Sequence, residues 1–131
     1  MPAPIRILIA DDHAPFRGML QSLLRKFGAE ILECHGGQEA VERYKDFAPD
    51  WVLMDIAMPV LDGISATRQI MAVSPQARIL ILTQYDDKDA RQAAREAGAQ
   101  WFLAKDKLEH LPGILFSQLR TDASAQSLLK P

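Results

Sequence analysis

Apolar residues along the chain alternate between short continuous runs and longer segments with helical spacing. The short runs predict five β-strands, at residues 5–10, 30–34, 51–54, 78–83 and 100–104. The first, third and fourth of these runs are apolar along their length, which is typical of strands that are buried on both faces.

A segment that predicts a helix follows each run. The clearest has Pro15 in its first turn, ends at Gly28 and repeats apolar residues at i, i+3, i+4 and i+7. That apolar stripe consists of Phe16, Met19, Leu20, Leu23, Leu24 and Phe27. The later segments are 38–47, 63 to about 73, 87–97, and one that ends near residue 119 and becomes regular close to Pro112.

Five strand–helix units in succession predict a parallel sheet that is covered by helices on both faces. For this length the expected fold class is α/β, a flavodoxin-like (βα)5 doubly wound sheet with strand order 2-1-3-4-5. We expect residues 1–119 to form one domain. Residues 120–131 are rich in Ser, Ala and Gln, and we expect a C-terminal tail or a linker stub there.

The composition argues against a nucleic-acid-binding, a membrane-spanning and a secreted protein. The net charge of -2 gives no general attraction to nucleic acid, so direct binding to DNA or RNA is not expected. No apolar stretch is long enough to cross a bilayer, and the first apolar run is too short for a signal peptide. With one cysteine, Cys34, the chain has no internal disulfide, and a cytoplasmic location is expected.

Polar residues follow four of the predicted strands, at the point where each strand ends. Asp11 and Asp12 follow the first strand, Asp55 the third and Lys105 the fifth, while Thr83 ends the fourth. The carboxyl ends of parallel strands share one edge of a doubly wound sheet, and ligands bind at that edge. We therefore expect these five side chains to meet in one crevice.

Three clustered carboxylates repel one another unless a cation joins them, and ligation by oxygen alone suits Mg²⁺. No Cys/His cluster is present to favour zinc. A metal, a nucleophilic carboxylate, a hydroxyl and an ammonium together match phosphoryl transfer. Taken singly, Asp12 could be a helix N-cap and Lys105 a solvated surface charge. Five such residues at corresponding strand ends make coincidence a poor explanation.

With these residues in place, the sequence resembles the receiver domain of two-component response regulators, over residues 5–119. The matching motifs are IRILIADDH at 5–13, GGQEAVE at 36–42, PDWVLMDIAMPVLDG at 49–63, ILILTQYDD at 79–87 and WFLAKD at 101–106. The resemblance implies that Asp55 accepts a phosphoryl group and that Asp11 and Asp12 form the metal pocket. It also implies that the backbone carbonyl of Ala57 completes the Mg²⁺ ligands.

The resemblance further implies a conformational switch. Thr83 is the switch hydroxyl, Phe102 stands at the position of the switch aromatic, and Lys105 pairs with the phosphoryl group. Phosphorylation would shift the population of conformers and remodel the surface of helix four, strand five and helix five. The implied donor is a phosphohistidine on a sensor histidine kinase or a histidine phosphotransfer protein, and a homodimer is compatible with this use.

Three positions depart from the usual pattern of the family. Gln84 follows Thr83 where a small residue is common, so it is expected to cover part of the phosphoryl pocket. Phe102 lacks the hydroxyl of the commoner tyrosine. Lys105 is followed by Asp106 and not by proline, which resembles the subfamily whose output is a LuxR-type helix-turn-helix.

Other functions remain in competition with the phosphorylated switch. One is an interaction module that keeps the fold and no longer uses phosphate; the intact set of polar residues argues against it. A haloacid-dehalogenase-type phosphatase expects an aspartate two residues after its nucleophile, where Ala57 stands. The missing glycine–lysine motif excludes a P-loop protein, and the acidic loop after strand one argues against a flavin carrier. The expected role is that of a signalling phosphoacceptor and not of an enzyme with an external substrate.

Overall fold

The computed structural model of the chain describes residues 3–84 and 86–117. The strands are β1 (Arg6–Ala10), β2 (Glu30–Cys34), β3 (Trp51–Asp55), β4 (Ile79–Thr83) and β5 (Trp101–Ala104). The helices are α1 (Ala14–Arg25), α2 (Gly37–Phe47), α3 (Gly63–Val73), α4 (Lys88–Ala97) and α5 (Leu111–Ser117). A 3-10 helix, Lys105–His110, lies between β5 and α5, and the sequence pattern did not predict it.

The strands form one parallel sheet in the order β2-β1-β3-β4-β5, which confirms the predicted doubly wound topology. The register aligns the carboxyl ends of neighbouring strands to within one residue: Ala10 pairs with Met54, Asp55 pairs with Leu82, and Thr83 pairs with Ala104. The carboxyl ends of the strands therefore lie along one edge, where the polar residues follow.

Alternate residues of each strand point into two separate cores. Leu8 and Ala10 of β1 belong to the core under α2, α3 and α4, whereas Ile7 and Ile9 belong to the core under α1 and α5. Because both faces are covered, the inner strands are buried along their whole length, as their continuous apolar runs predict.

Only part of the apolar stripe predicted for α1 is buried against the sheet. Leu20 and Leu24 are buried, but Met19 and Phe27 are 49% and 52% exposed. The helix ends at Arg25, earlier than the stripe predicted, so Phe27 lies beyond it and stacks against Phe116 at 5.0 Å between ring centroids. The helical spacing alone cannot tell which members of a wide stripe reach the sheet.

Asp12 does not cap α1. The N-cap residue of that helix is His13, which makes no side-chain capping hydrogen bond, and Asp12 is exposed. By contrast, Asp87 caps α4, where its carboxylate accepts a hydrogen bond of 2.7 Å from the backbone N–H of Ala90.

The predicted domain boundary between residues 119 and 120 lies outside the described residues, as does the predicted end of the fifth helix near residue 119. Within the described part of the chain, none of the helices combines the length and the apolar character that crossing a bilayer requires.

Candidate functional site

The residues that the sequence singled out at the strand ends line one cavity. Its volume is about 240 Å³, and it lies at the carboxyl edge of the sheet. The lining residues are Asp11, Asp12, His13, Asp55, Ala57, Thr83, Gln84 and Lys105. The structure thus brings together all five polar side chains that were expected to converge, with Ala57 and Gln84 beside them.

The three carboxylates of the cavity are close enough to share one cation. One oxygen from each of Asp11, Asp12 and Asp55 lies within 4.8 Å of the other two. Asp11 and Asp55 are only 2% and 7% exposed, while Asp12 is exposed at the mouth. A set of oxygen donors with one side open to solvent fits a divalent ion such as Mg²⁺, which keeps several waters.

Lys105 places a positive charge directly against the carboxylates. Its Nζ donates a hydrogen bond of 2.8 Å to Oδ2 of Asp11 and lies 3.6 Å from Oδ1 of Asp55. The lysine side chain is 12% exposed, so solvent screens these charges only in part. The ammonium is therefore close enough to form an ion pair with an anionic group that enters the cavity.

The site perturbs the ionisation of Asp55. Burial raises its pKa from the ordinary value of 3.8 to about 6, and the negative charge of Asp11 acts in the same direction. Lys105 opposes this rise without cancelling it. A buried carboxylate that is held near other negative charges gains from any cation or charge-neutralising group that binds beside it.

Arg17 anchors the backbone behind the acidic cluster, and sequence reasoning missed it. Its Nη1 donates to the carbonyl oxygen of Asp11 at 2.6 Å, and its Nε donates to Oε1 of Glu33 at 3.1 Å. The side-chain carboxylate of Asp11 also accepts a hydrogen bond of 2.8 Å from the backbone N–H of His13. The available signal was an arginine in the first turn of the predicted helix that follows the aspartates, next to the apolar Phe16.

The loop from β3 to α3 approaches Asp55 so closely that it requires a glycine. A Cβ atom built on Gly63 would collide with the backbone carbonyl oxygen of Asp55. The backbone N–H of Gly63 donates to the carbonyl of Ile56 at 2.9 Å, and Asp62 caps α3 through Ser65 N at 2.8 Å. These contacts set the position of the loop that carries Ala57.

Thr83 lines the cavity, whereas Phe102 lies in the core that α4 covers. Both are buried, at 1% and 0% exposure, and Phe102 belongs to the core under α2, α3 and α4. The guanidinium of Arg91 lies 4.8 Å from the centre of the Phe102 ring, and its Nε donates to Oδ1 of Asp86 at 2.6 Å. The aromatic side chain is thus held inside the protein beneath a charged residue of α4.

The sequence model of one protein family, the response regulator receiver domain, matches residues 7–115 of the chain. The chemotaxis protein CheY of Thermotoga maritima is 42% identical over 101 residues, which cover 76% of this chain and 84% of that protein.

Among solved structures, a LuxR-family two-component response regulator from Aurantimonas sp. SI85-9A1 superimposes with a TM-score of 0.85 at 30% identity, over 98% of this chain and 91% of that one. The complex of CheX, CheY, BeF3 and Mg from Borrelia burgdorferi contains a chain with a TM-score of 0.77 at 27% identity, over 85% of this chain and 89% of that one.

Proposed function

Because the chain belongs to the family of response regulator receiver domains, which are signalling phosphoacceptors, we propose that Asp55 is the residue that accepts the phosphoryl group. One observation carries this assignment. Asp55 lies in the cavity between two further carboxylates and an ammonium, and burial raises its pKa to about 6. Asp11 is already bonded to Lys105 and Asp12 is exposed, so Asp55 is the carboxylate best placed for transfer.

In the proposed reaction one oxygen of Asp55 attacks the phosphorus of a phosphohistidine. The P–N bond breaks, its electron pair goes to the imidazole, and the imidazole takes up a proton. An aspartyl phosphate results, and attack of water on its phosphorus breaks the bond to the Asp55 oxygen, which releases inorganic phosphate and returns the carboxylate. The domain would thus catalyse only its own phosphorylation and dephosphorylation.

Mg²⁺ is the cofactor that fits the donor set. Asp11, Asp12, Asp55 and the backbone carbonyl of Ala57 would hold the ion, which supplies positive charge against the developing charge of the phosphoryl oxygens. The protein's own task is alignment: Lys105 pairs with one phosphoryl oxygen, and the hydroxyl of Thr83 donates to another.

The proposed output is a shift of conformational population. Phosphorylation favours the conformer in which Thr83 turns toward the phosphoryl group and Phe102 occupies the space behind it. The observed burial of Phe102 beneath Arg91 supports a coupling between this aromatic residue and α4. The surface of α4, β5 and α5 would carry the signal to a partner.

The proposed phosphoryl donor is a sensor histidine kinase or a histidine phosphotransfer protein, which implies a cytoplasmic location. The likeness to the LuxR-family structure supports the proposal of a LuxR-type output. A homodimer is a further proposal, independent of that likeness. We also propose that residues 1–119 form the receiver domain and 120–131 a tail or linker stub.

The alternative of a phosphate-independent interaction module has no comparable support, because the polar cluster is complete.

The test is labelling by acetyl phosphate with and without Mg²⁺. We expect a hydroxylamine-sensitive label that requires Mg²⁺, appears in wild type and is lost in Asp55→Asn. Asp46→Asn, which changes an exposed carboxylate of α2, is the matched control and should label like wild type. An unlabelled wild-type protein, or equal labelling of Asp55→Asn, would overturn the assignment.

A further inference from the structure

An aromatic ring in the first turns of α1 lies against the lysine of the cavity. The centre of the Phe16 ring is 4.2 Å from Nζ of Lys105, within the range of a cation–π contact. Phe16 is partly buried and packs against the core under α1 and α5. The ring is therefore supported from the core while it contacts the ammonium.

The same lysine is hydrogen-bonded to a carboxylate that a bound cation would need. Its shortest contact, 2.8 Å, is to Oδ2 of Asp11, and Asp11 belongs to the carboxylate cluster that fits Mg²⁺. A divalent ion on these carboxylates both competes with Lys105 for Asp11 and repels the ammonium. The attraction between the carboxylates and the Lys105 ammonium is thus weakest when the cation is bound, which is the state that would accept a phosphoryl group.

A bound cation does not weaken the contact between the Phe16 ring and the Lys105 ammonium in this way. Its attraction for the ammonium comes from the negative face of the π-system, which a metal ion on the carboxylates does not occupy. Phe16 is also an uncharged partner, so it adds no fourth anion to a cavity that already contains three carboxylates.

We propose that Phe16 is a positioning residue whose ring keeps the Lys105 ammonium at the cavity when a divalent cation occupies the carboxylates. The inference rests on the proposed function, because it concerns the lysine that meets the phosphoryl group. It assigns to α1 a role in phosphoryl capture in addition to its packing against the sheet.

The test separates the charge of the ring from its shape. Phe16 is replaced by 4-fluoro-, 3,5-difluoro- and 3,4,5-trifluorophenylalanine, which weaken the cation–π contact stepwise at nearly constant size. Calorimetry measures two affinities for each protein: that for Mg²⁺, and that for beryllofluoride, a phosphoryl analogue, at saturating Mg²⁺. The matched control is the same series at Phe47, whose ring lies 4.3 Å from the Arg6 guanidinium at the opposite edge of the sheet.

We expect the beryllofluoride affinity to fall stepwise with fluorination at Phe16, by about 2- to 30-fold over the series. The Mg²⁺ affinity should not fall, since a less firmly held Lys105 repels the ion less. The series at Phe47 should leave both affinities unchanged, and fluorination at Phe16 should have no effect in a Lys105→Met background.

An unchanged beryllofluoride affinity, or parallel losses of both affinities, would overturn the role of Phe16, because parallel losses indicate general loosening of the site. A wild-type protein that binds no beryllofluoride would instead overturn the phosphoacceptor proposal and the inference with it.

Discussion

Replacing Asp55 by asparagine should stabilise the folded protein when no divalent metal is present. Burial raises the pKa of Asp55 to about 6 from 3.8, so the ionised carboxylate is less favourable in the folded than in the unfolded protein. Asparagine keeps the shape of the protonated carboxyl group without its charge. The buried charge, which serves the site, is thus a cost to stability.

The size of the effect follows from linkage between protonation and folding. At roughly 1.4 kcal/mol for each pH unit, the interval between 3.8 and about 6 corresponds to a free-energy cost of about 3 kcal/mol. Below pH 4 the carboxyl group is protonated in both states, so no cost arises. Between about pH 4 and 6 the folded state binds the additional proton, and stability falls as the pH rises; above pH 6 the full cost remains.

The assay is urea denaturation followed by tryptophan fluorescence, since Trp51 and Trp101 are both buried and change environment on unfolding. Without metal at pH 7.5, Asp55→Asn should raise the free energy of unfolding by about 1–3 kcal/mol. The gain should shrink toward zero near pH 4. Added Mg²⁺ should also reduce it, because the ion stabilises the folded wild-type protein by mass action.

A variant that is no more stable than wild type at pH 7.5 without metal would show that the ionised Asp55 does not destabilise the folded protein. A gain that is the same at pH 4 and pH 7.5 would show that the cost does not come from an ionised carboxylate. Asp46→Asn, on the exposed surface of α2, should show neither the gain nor its dependence on pH.

Three further substitutions, together with one glycine control, test the surroundings of Asp55. Gln84→Ala, which shortens an exposed side chain that lines the cavity, should speed phosphorylation by acetyl phosphate and hydrolysis of the product; equal rates in both proteins would contradict this. Gly63→Ala should lower the free energy of unfolding by about 1–3 kcal/mol and slow phosphorylation, because the new Cβ collides with the carbonyl of Asp55. Gly113→Ala is the control, because an added Cβ there meets nothing within 4 Å; it should lower neither the free energy of unfolding nor the rate of phosphorylation. Val60→Gly should stabilise the protein by about 1 kcal/mol in urea denaturation, because Val60 is 98% exposed and has φ of 71°; a loss of stability would show that its backbone is not strained.

The sequence by itself determined the order of strands and helices and the edge at which the chemistry occurs. The period of apolar residues is a local property, and the βα alternation leaves few ways to arrange a parallel sheet. Placing Asp11, Asp55 and Lys105 at one edge therefore required only that each residue lie at or directly after the end of its strand. The roles of these residues in phosphoryl transfer remain predictions for the labelling experiment.

Only the tertiary structure decided which atoms meet. The spacing of residues does not show that Lys105 donates its hydrogen bond to Asp11 and lies farther, at 3.6 Å, from Asp55. It also does not show that Arg17 reaches the Asp11 carbonyl or that the Phe16 ring lies against the Lys105 ammonium. Nor does it show that Met19 in the same helical stripe is left exposed. The contacts of Lys105 with Asp11 and Phe16 join segments far apart in the chain, and the contacts of Arg17 and Phe16 depend on how closely α1 packs against the sheet.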